Sequence, residues 1–273
     1  MKTQQEKGAA FRALHERPGA FLIPNPWDAG SARLLAHLGF EALATTSAGY
    51  AFTLGRCDGG LSREQALAGA GAIASATELP VSADLENGFG DAPEFAAETI
   101  RLAAAAGVVG GSIEDATGRS DQPIYDRPLA VERVHAAVAA ARDLAFPFTL
   151  TARCENYFHG RPYLKDTIER LQAYQQAGAD VLYAPGLTSK DDIAAVVRSV
   201  DRPVNVLAGL PGMQLSLGEL SALGVKRVSV GGALCRTALG AFLRGAREMR
   251  ERGTFTFAAD AVLSRDLAAV FSR

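Results

Sequence analysis
The chain has 273 residues, 48% of them hydrophobic and 21% charged, with Lys+Arg 28 against Asp+Glu 30 and a formal net charge of -2. That is enough sequence for one large domain or two small ones, and the charge balance gives no electrostatic reason to expect nucleic acid or an anionic membrane as partner. The cysteines, Cys57, Cys154 and Cys235, are widely spaced and form no CxxC, so neither a disulfide framework nor a zinc site is suggested, and a reducing cytoplasm fits best. Residues 1–7 lack the apolar core of a signal peptide, and no apolar stretch approaches the ~18–20 residues needed to span a bilayer.

Along the chain a short apolar run, a polar loop and a helical pattern recur. The runs lie at 20–25, 40–48, 79–86, 107–115, 147–155, 179–185, 203–209 and 226–232. They are apolar without strict alternation, as expected of parallel strands buried on both faces. Helix starts are marked by capping-box patterns at Ser62…Gln65, Asp91…Glu94 and Ser216…Glu219. Helix ends are marked by Gly39, Gly107, Gly178 and Gly224, each just before a run. Eight strands alternating with helices predict a (β/α)8 TIM-type barrel. An open doubly wound sheet would place a Gly-rich phosphate loop after the first strand, and Pro24-Asn25-Pro26-Trp27-Asp28 is not one. No linker divides the sequence, so residues 1–273 are expected to form one barrel domain. Residues 255–271 read as a C-terminal helix beyond it, docked on this barrel or on a neighbouring subunit.

The chemistry-bearing residues fall at the ends of these runs or just after them. Ser47, Ala48 and Gly49 follow the second, with Asp58 in the next loop. Asp84 and Glu86 end the third, Glu114 and Asp115 the fourth, Arg153 and Glu155 the fifth, and Asn205 lies within the seventh. In such a barrel these ends form the catalytic face. Several carboxylates in one mouth repel and raise one another's pKa, and a divalent cation relieves that repulsion. An all-oxygen donor set favours Mg²⁺ or Mn²⁺. Asp84 and Glu86, two apart on one strand, are expected to share a face. Arg153 offers a planar fork for a substrate carboxylate or oxyanion, and the small residues 47–49 let backbone N–H groups approach an anion. Together these features suit a 2-oxo acid or its enolate.

Asn25-Pro26-Trp27-Asp28-Ala29-Gly30-Ser31-Ala32-Arg33, Thr45 to Gly49, Asp58, Asp84 to Gly90, Ile113-Glu114-Asp115, Thr151-Ala152-Arg153 and Asn205 run in one order over about residues 25–235. In this they resemble the isocitrate lyase/phosphoenolpyruvate mutase superfamily. The resemblance implies a Mg²⁺-dependent enzyme that forms the enolate of a 2-oxo acid. It assigns Asp84 as the direct metal ligand and Asp58, Glu86 and Glu114 as ligands through water. Ser47, Ala48 and Gly49 would then hold the substrate carboxylate and Arg153 its oxyanion or carboxylate. It also implies a homo-oligomer, dimer or tetramer, with the C-terminal helix exchanged between subunits.

Two departures bear on the reaction. Isocitrate and methylisocitrate lyases carry a K-[KR]-C-G-H loop after the fourth strand, whereas residues 115–127 here contain no cysteine, nor the Lys and Asn of the mutase and phosphonopyruvate hydrolase branch. The second acid of the third-strand motif is Glu86 rather than aspartate. The expected activity is a carbon–carbon lyase or decarboxylase acting on a small 2-oxo or 2-hydroxy di- or tricarboxylic acid. Tyr125, His159 or water would protonate the enolate, and residues 115–127 would form a lid. Phosphorus–carbon mutase or hydrolase chemistry, and a barrel that binds keto acids without turning them over, are the alternatives. Cys57 and Cys154, beside Asp58 and Arg153, are expected to be small buried residues. His37 and His135 fall within helices and His15 in a polar N-terminal stretch.

Overall fold
The computed structural model describes residues 2–272. In chain order the elements are α1 (Gln4–Glu16), β1 (Phe21–Leu22), α2 (Ala29–His37), β2 (Leu43–Ala44), α3 (Ser47–Thr53), α4 (Arg63–Ser75), β3 (Val81–Asp84), α5 (Pro93–Ala105), β4 (Gly110–Glu114), α6 (Arg127–Arg142) and β5 (Thr149–Arg153). They continue with α7 (Leu164–Gln176), β6 (Val181–Tyr183), α8 (Lys190–Arg198), β7 (Val204–Leu207), α9 (Leu217–Ala222), β8 (Arg227–Ser229), α10 (Ala233–Arg252) and α11 (Ser264–Phe271). Each strand lies inside the run that predicted it.

All strand pairs are parallel, in the order β1-β8-β7-β6-β5-β4-β3-β2. Ala44 N–H donates to the Pro24 carbonyl at 3.1 Å and bridges the remaining β1–β2 seam. The fold is therefore a (β/α)8 barrel with helices outside. Apolar residues on both faces of the strands build two cores between barrel and helices, one around Ile100, Ile113 and Phe148, the other around Leu171, Leu182 and Val206. Helix α1 closes the N-terminal end, packing Phe11 against Phe21, Ile23 and Val109. His15 lies under the barrel between Phe11 and Phe21 rather than in a polar stretch, and burial pushes its imidazole down to about 3. One end is thus sealed by apolar packing and the other left open for polar chemistry.

The capping boxes at Ser62 and Ser216 form as expected. The third does not. Ala92 caps α5 and Pro93 opens it, where a missing N–H costs nothing. The Asp91 carboxylate turns away to accept from the Tyr125 hydroxyl and from Arg119, both at 2.6 Å. Gly107 and Gly178 end their helices in the left-handed region, at φ 97° and 100°, as the sequence suggested.

Residues 255–271 do not form one helix. A 3-10 turn over Thr256–Asp260 precedes α11. The Glu248 carboxylate holds that turn by accepting from the Thr256 and Phe257 N–H groups. In this single chain α11 rests on α2, with Arg33 donating to the Phe271 carbonyl at 3.0 Å. Phe242, Phe255 and Val262 remain 65–69% exposed. Among the described residues no helix is long and apolar enough to cross a membrane.

Candidate active site
The sheet ends three neighbouring strands on charge. β3 stops at Asp84, β4 at Glu114 and β5 at Arg153, with Glu114 in register with Arg153. Charged groups end the strands because burying them deeper without partners would be costly. The Arg153 guanidinium is their hub. Its Nη1 lies 2.9 Å from Asp84 Oδ1, and its Nη2 lies 3.1 Å from Glu114 Oε2 and 2.8 Å from Glu155 Oε1. The Tyr183 ring stacks beneath it, 5.2 Å from centroid to guanidinium carbon.

Asp84 is fixed from three sides. Its own N–H donates to Thr45 Oγ1 at 2.8 Å, and its Oδ2 accepts from the Ser47 N–H at 3.2 Å. The Ser47 hydroxyl lies 2.9 Å from Asp84 Oδ2 and 3.0 Å from Asp58 Oδ1, and so ties the two acids together. Glu86 reaches the same cluster by another route than expected. β3 ends two residues earlier, so strand alternation does not apply to it. Glu86 sits in a turn at φ 48°, an uncommon conformation for a residue with a Cβ. Its carbonyl accepts from the Glu114 N–H at 3.0 Å, and its carboxylate atom Oε1 is buried with no partner.

The cluster is short of positive charge. Burial, then Asp84 and Asp58, push Glu86 up to about 7. Burial pushes Glu155 up to about 7 against the pull of Arg153. Burial also raises Glu114, and burial and Asp84 raise Asp58. One guanidinium faces five carboxylates, and one buried carboxylate oxygen has nothing to bind. An oxygen-only donor set with an orphaned oxygen fits a hard divalent cation. Among the described residues, however, no three acidic, histidine or cysteine side chains already converge as a cage, because Arg153 lies between them.

These shifts predict a pH dependence. A carboxyl raised from 4.5 to about 7 in the folded state favours folding below its unfolded pKa, and that contribution is lost as pH rises through about 7. Glu86→Gln is therefore expected to gain thermal stability relative to the wild type as pH rises from about 5 to about 8 in EDTA. Added Mg²⁺ should stabilise the wild type more at the upper end of that range, because the cation displaces the protons. Melting curves across pH check both points, and a flat difference would contradict the assignment.

Two cavities meet at Arg153. The inner one, about 160 Å³, is lined by Ser47, Ala48, Asp58, Asp84, Asn205 and Arg227, with Arg236 at its edge. The outer one carries Glu86, Glu114 and His159, with Thr117 and Gly118 from the 115–127 loop. That loop is pinned at its base by an Ala116–Ile124 bridge and by Thr117 N–H donating to the Pro123 carbonyl at 2.9 Å.

Two expected site residues lie elsewhere. Tyr125 is 1% exposed. Its hydroxyl is pushed up to about 12 by burial and by its bond to Asp91, so its proton is held there and not offered to a ligand. Gly49 does not present its N–H to an anion. That group donates to Thr46 Oγ1, which caps α3, and an added Cβ would lie 2.6 Å from Thr46 Cγ2, so the glycine serves close packing. Asp115 is structural, accepting from the Glu155 N–H, Arg170 and Tyr174. Cys154 is buried as expected, whereas Cys57 is exposed because its loop stands off the barrel.

Sequence reasoning missed Tyr183, Arg227 and Arg236, and the full roles of Thr45 and Asn25. The Asn25 side chain accepts from the Val230 and Gly231 N–H groups, both at 2.9 Å, and donates to the Thr45 carbonyl, which stitches the β8–β1–β2 seam under the cavity. The flanking prolines marked Asn25 as unusual. Arg227 was marked as a charge within an apolar run, directly after Lys226.

Comparisons with known proteins agree with this geometry. The family model described as phosphoenolpyruvate phosphomutase matches residues 11–250. A crystal structure from Burkholderia cenocepacia J2315, assigned provisionally as a lyase/mutase, is 68% identical and superposes with a TM-score of 0.97 over 99% of this chain and 97% of that one. The 2-methylisocitrate lyase of Shewanella oneidensis is 31% identical over 73% of this chain and 70% of its own. Oxaloacetate acetylhydrolase, solved with its product oxalate, is 27% identical with a TM-score of 0.88 over 99% of this chain and 95% of that one. With the strand-end acids, the Arg153 hub and a match over most of its length, the chain belongs to the isocitrate lyase/phosphoenolpyruvate mutase superfamily of lyases and mutases.

Proposed function
We propose that the protein is a Mg²⁺-dependent carbon–carbon lyase or decarboxylase that acts on a small 2-oxo or 2-hydroxy di- or tricarboxylic acid by way of an enolate. The observation that carries this reading is the Arg153 guanidinium, buried among Asp84, Glu114 and Glu155 at the mouth of a small polar cavity. Asp84 would hold the cation, with Asp58, Glu86 and Glu114 around it; Mn²⁺ suits the same donors. When bound, the cation supplies positive charge beside the substrate's carbonyl oxygen.

The remaining roles belong to the chain itself. Ser47 and Ala48 border the inner cavity where a substrate carboxylate would lie, and Asn205 offers its amide deeper in. Arg153, at the meeting of the two cavities, would donate to an oxyanion. As the bond next to the carbonyl breaks, its electron pair moves onto that oxygen, and fixed N–H donors there lower the barrier. The enolate carbon must then regain a proton. With Tyr125 committed to Asp91, His159 on the outer cavity wall is the side chain placed to deliver it, directly or through water.

Decarboxylation is favoured over isocitrate-type cleavage, because the 115–127 loop offers no cysteine to protonate a departing carbanion. The exposed apolar residues of α10 and the tail, Phe242, Phe255 and Val262, are the surface on which a homo-oligomer would form. A substrate panel tests the activity. With Mg²⁺, 2-oxo and 2-hydroxy diacids are expected to release CO₂ or a cleaved acid, and EDTA is expected to abolish turnover. Oxalate as product would indicate hydrolysis of the kind oxaloacetate acetylhydrolase performs. Turnover of phosphonopyruvate alone, or binding without product, would overturn the lyase reading.

A further inference from the structure
Among the described residues, Arg227 is the one deeply buried cation with an unpartnered donor atom that lines a cavity. Arg153 is surrounded by acids, and Arg170 pairs with Asp115 and Asp166. Arg133 donates to the carbonyls of Asn87, Gly90 and Asp91. Arg227 opens β8 and is 4% exposed. Its Nε donates to Asn205 Oδ1 at 2.9 Å, and its Nη2 crosses the lumen to Thr151 Oγ1 on β5 at 3.0 Å. Its Nη1 has no partner, and the residue lines the inner cavity.

No carboxylate offsets this charge. Among the described residues no acid lies within salt-bridge distance of Arg227, and burial pushes its guanidinium down to about 10. A buried, unpaired cation is costly to the fold and is kept only where something repays it. The site residues also divide along the cavity. Acids and Arg153 gather at the rim, while Arg227, Asn205 and Ser229 line the floor. Register links the two arginines strand by strand, Arg153 with Tyr183, Tyr183 with Asn205, and Asn205 with Arg227.

We propose that Arg227 forms a second anion subsite on the cavity floor and receives the far carboxylate of a dicarboxylic ligand whose other end lies among the rim acids and Arg153. This rests on reading the inner cavity as the substrate pocket, and it deepens the di- or tricarboxylic reading by assigning the second carboxylate to one residue on the cavity floor. The unpartnered Nη1 is a charged donor suited to a carboxylate oxygen. A methyl group in the same place would leave that donor unanswered.

The test uses two acids that differ only at the far end, malate and 2-hydroxybutanoate, titrated calorimetrically into the full-length protein with Mg²⁺. The wild type is expected to prefer malate by at least about 10-fold, the scale of a hydrogen bond to a charged group. Arg227→Met is expected to reduce that preference to within about 2-fold while keeping its affinity for 2-hydroxybutanoate, and Arg227→Lys to retain part of it. Arg227→Gln, which keeps donors for Asn205 and Thr151, guards against a packing artefact. Both neutral variants should melt no lower than the wild type, since an unpaired buried charge has been removed.

A malate preference that survives in Arg227→Met, or neutral variants that fail to fold, would overturn the subsite and leave Arg227 as a strut. A wild type that binds both acids equally overturns the subsite but leaves the pocket reading intact. A wild type that binds neither overturns the pocket reading, and the subsite with it.

Discussion

Arg153→Met is expected to be the most damaging single substitution in the metal-free protein. Among the described residues it removes the only guanidinium paired with Asp84, Glu114 and Glu155, whose side chains are 16%, 16% and 4% exposed. Removing one partner of a buried ion pair costs about 3–5 kcal/mol, because the remaining charge is left without compensation. At the scale of a domain of this size that is a melting point lower by roughly 10 °C. Part of the loss should return as the carboxylates protonate, since burial has already raised Glu114 and Glu155. Part should also return with Mg²⁺, which replaces one cation with another. Turnover should not return. The proposed donor to the oxyanion would be gone, and a lost oxyanion donor costs about 10²–10³-fold in rate. Melting curves with and without Mg²⁺, run beside an assay, separate the two effects. A variant as stable as the wild type in EDTA would mean that Arg153 does not neutralise the cluster.

The barrel was legible because parallel strands buried on both faces leave apolar runs in the sequence, and all eight strands fell within them. The positions of Asp84, Glu114 and Arg153 were legible for the complementary reason that a charge ends such a run. What failed depended on where side chains turn after the strand stops. Glu86 was placed by strand alternation, but β3 had ended at Asp84 and a left-handed turn delivers the carboxylate instead. Tyr125 was placed by its loop, yet the loop folds back through the Ala116–Ile124 bridge and sends the hydroxyl to Asp91. That same contact took Asp91 away from its expected cap. Gly49 looked like a residue that opens space for an anion, when its missing Cβ makes room for Thr46 and Trp27. Each of these is a tertiary contact that no local pattern encodes. Arg227 differs, because its sequence carried a readable anomaly, a charge inside a buried strand.

Asp84→Asn carries the second large effect and bears on the account as a whole. Asp84 touches Arg153, is held by Ser47 and Thr45, and raises the pKa of both Asp58 and Glu86 through its charge. Among the cluster's carboxylates it is the one in contact with both Ser47 and the Arg153 hub. The amide nearly preserves shape and removes one negative charge, so the fold is expected to survive and melt close to the wild type in EDTA. Cation binding is not expected to survive. Altering groups around a metal's ligands already costs about 10–100-fold in affinity, so removing the proposed central ligand should cost at least about 100-fold. A ligand whose oxygens depend on that cation should lose affinity with it. The decisive measurement is a calorimetric titration of Mg²⁺ and a 2-oxo diacid, each alone and both together, into the wild type and Asp84→Asn. The wild type should bind the two cooperatively while the folded variant binds neither; diacid affinity in Asp84→Asn equal to that of the wild type would contradict a metal site centred on Asp84.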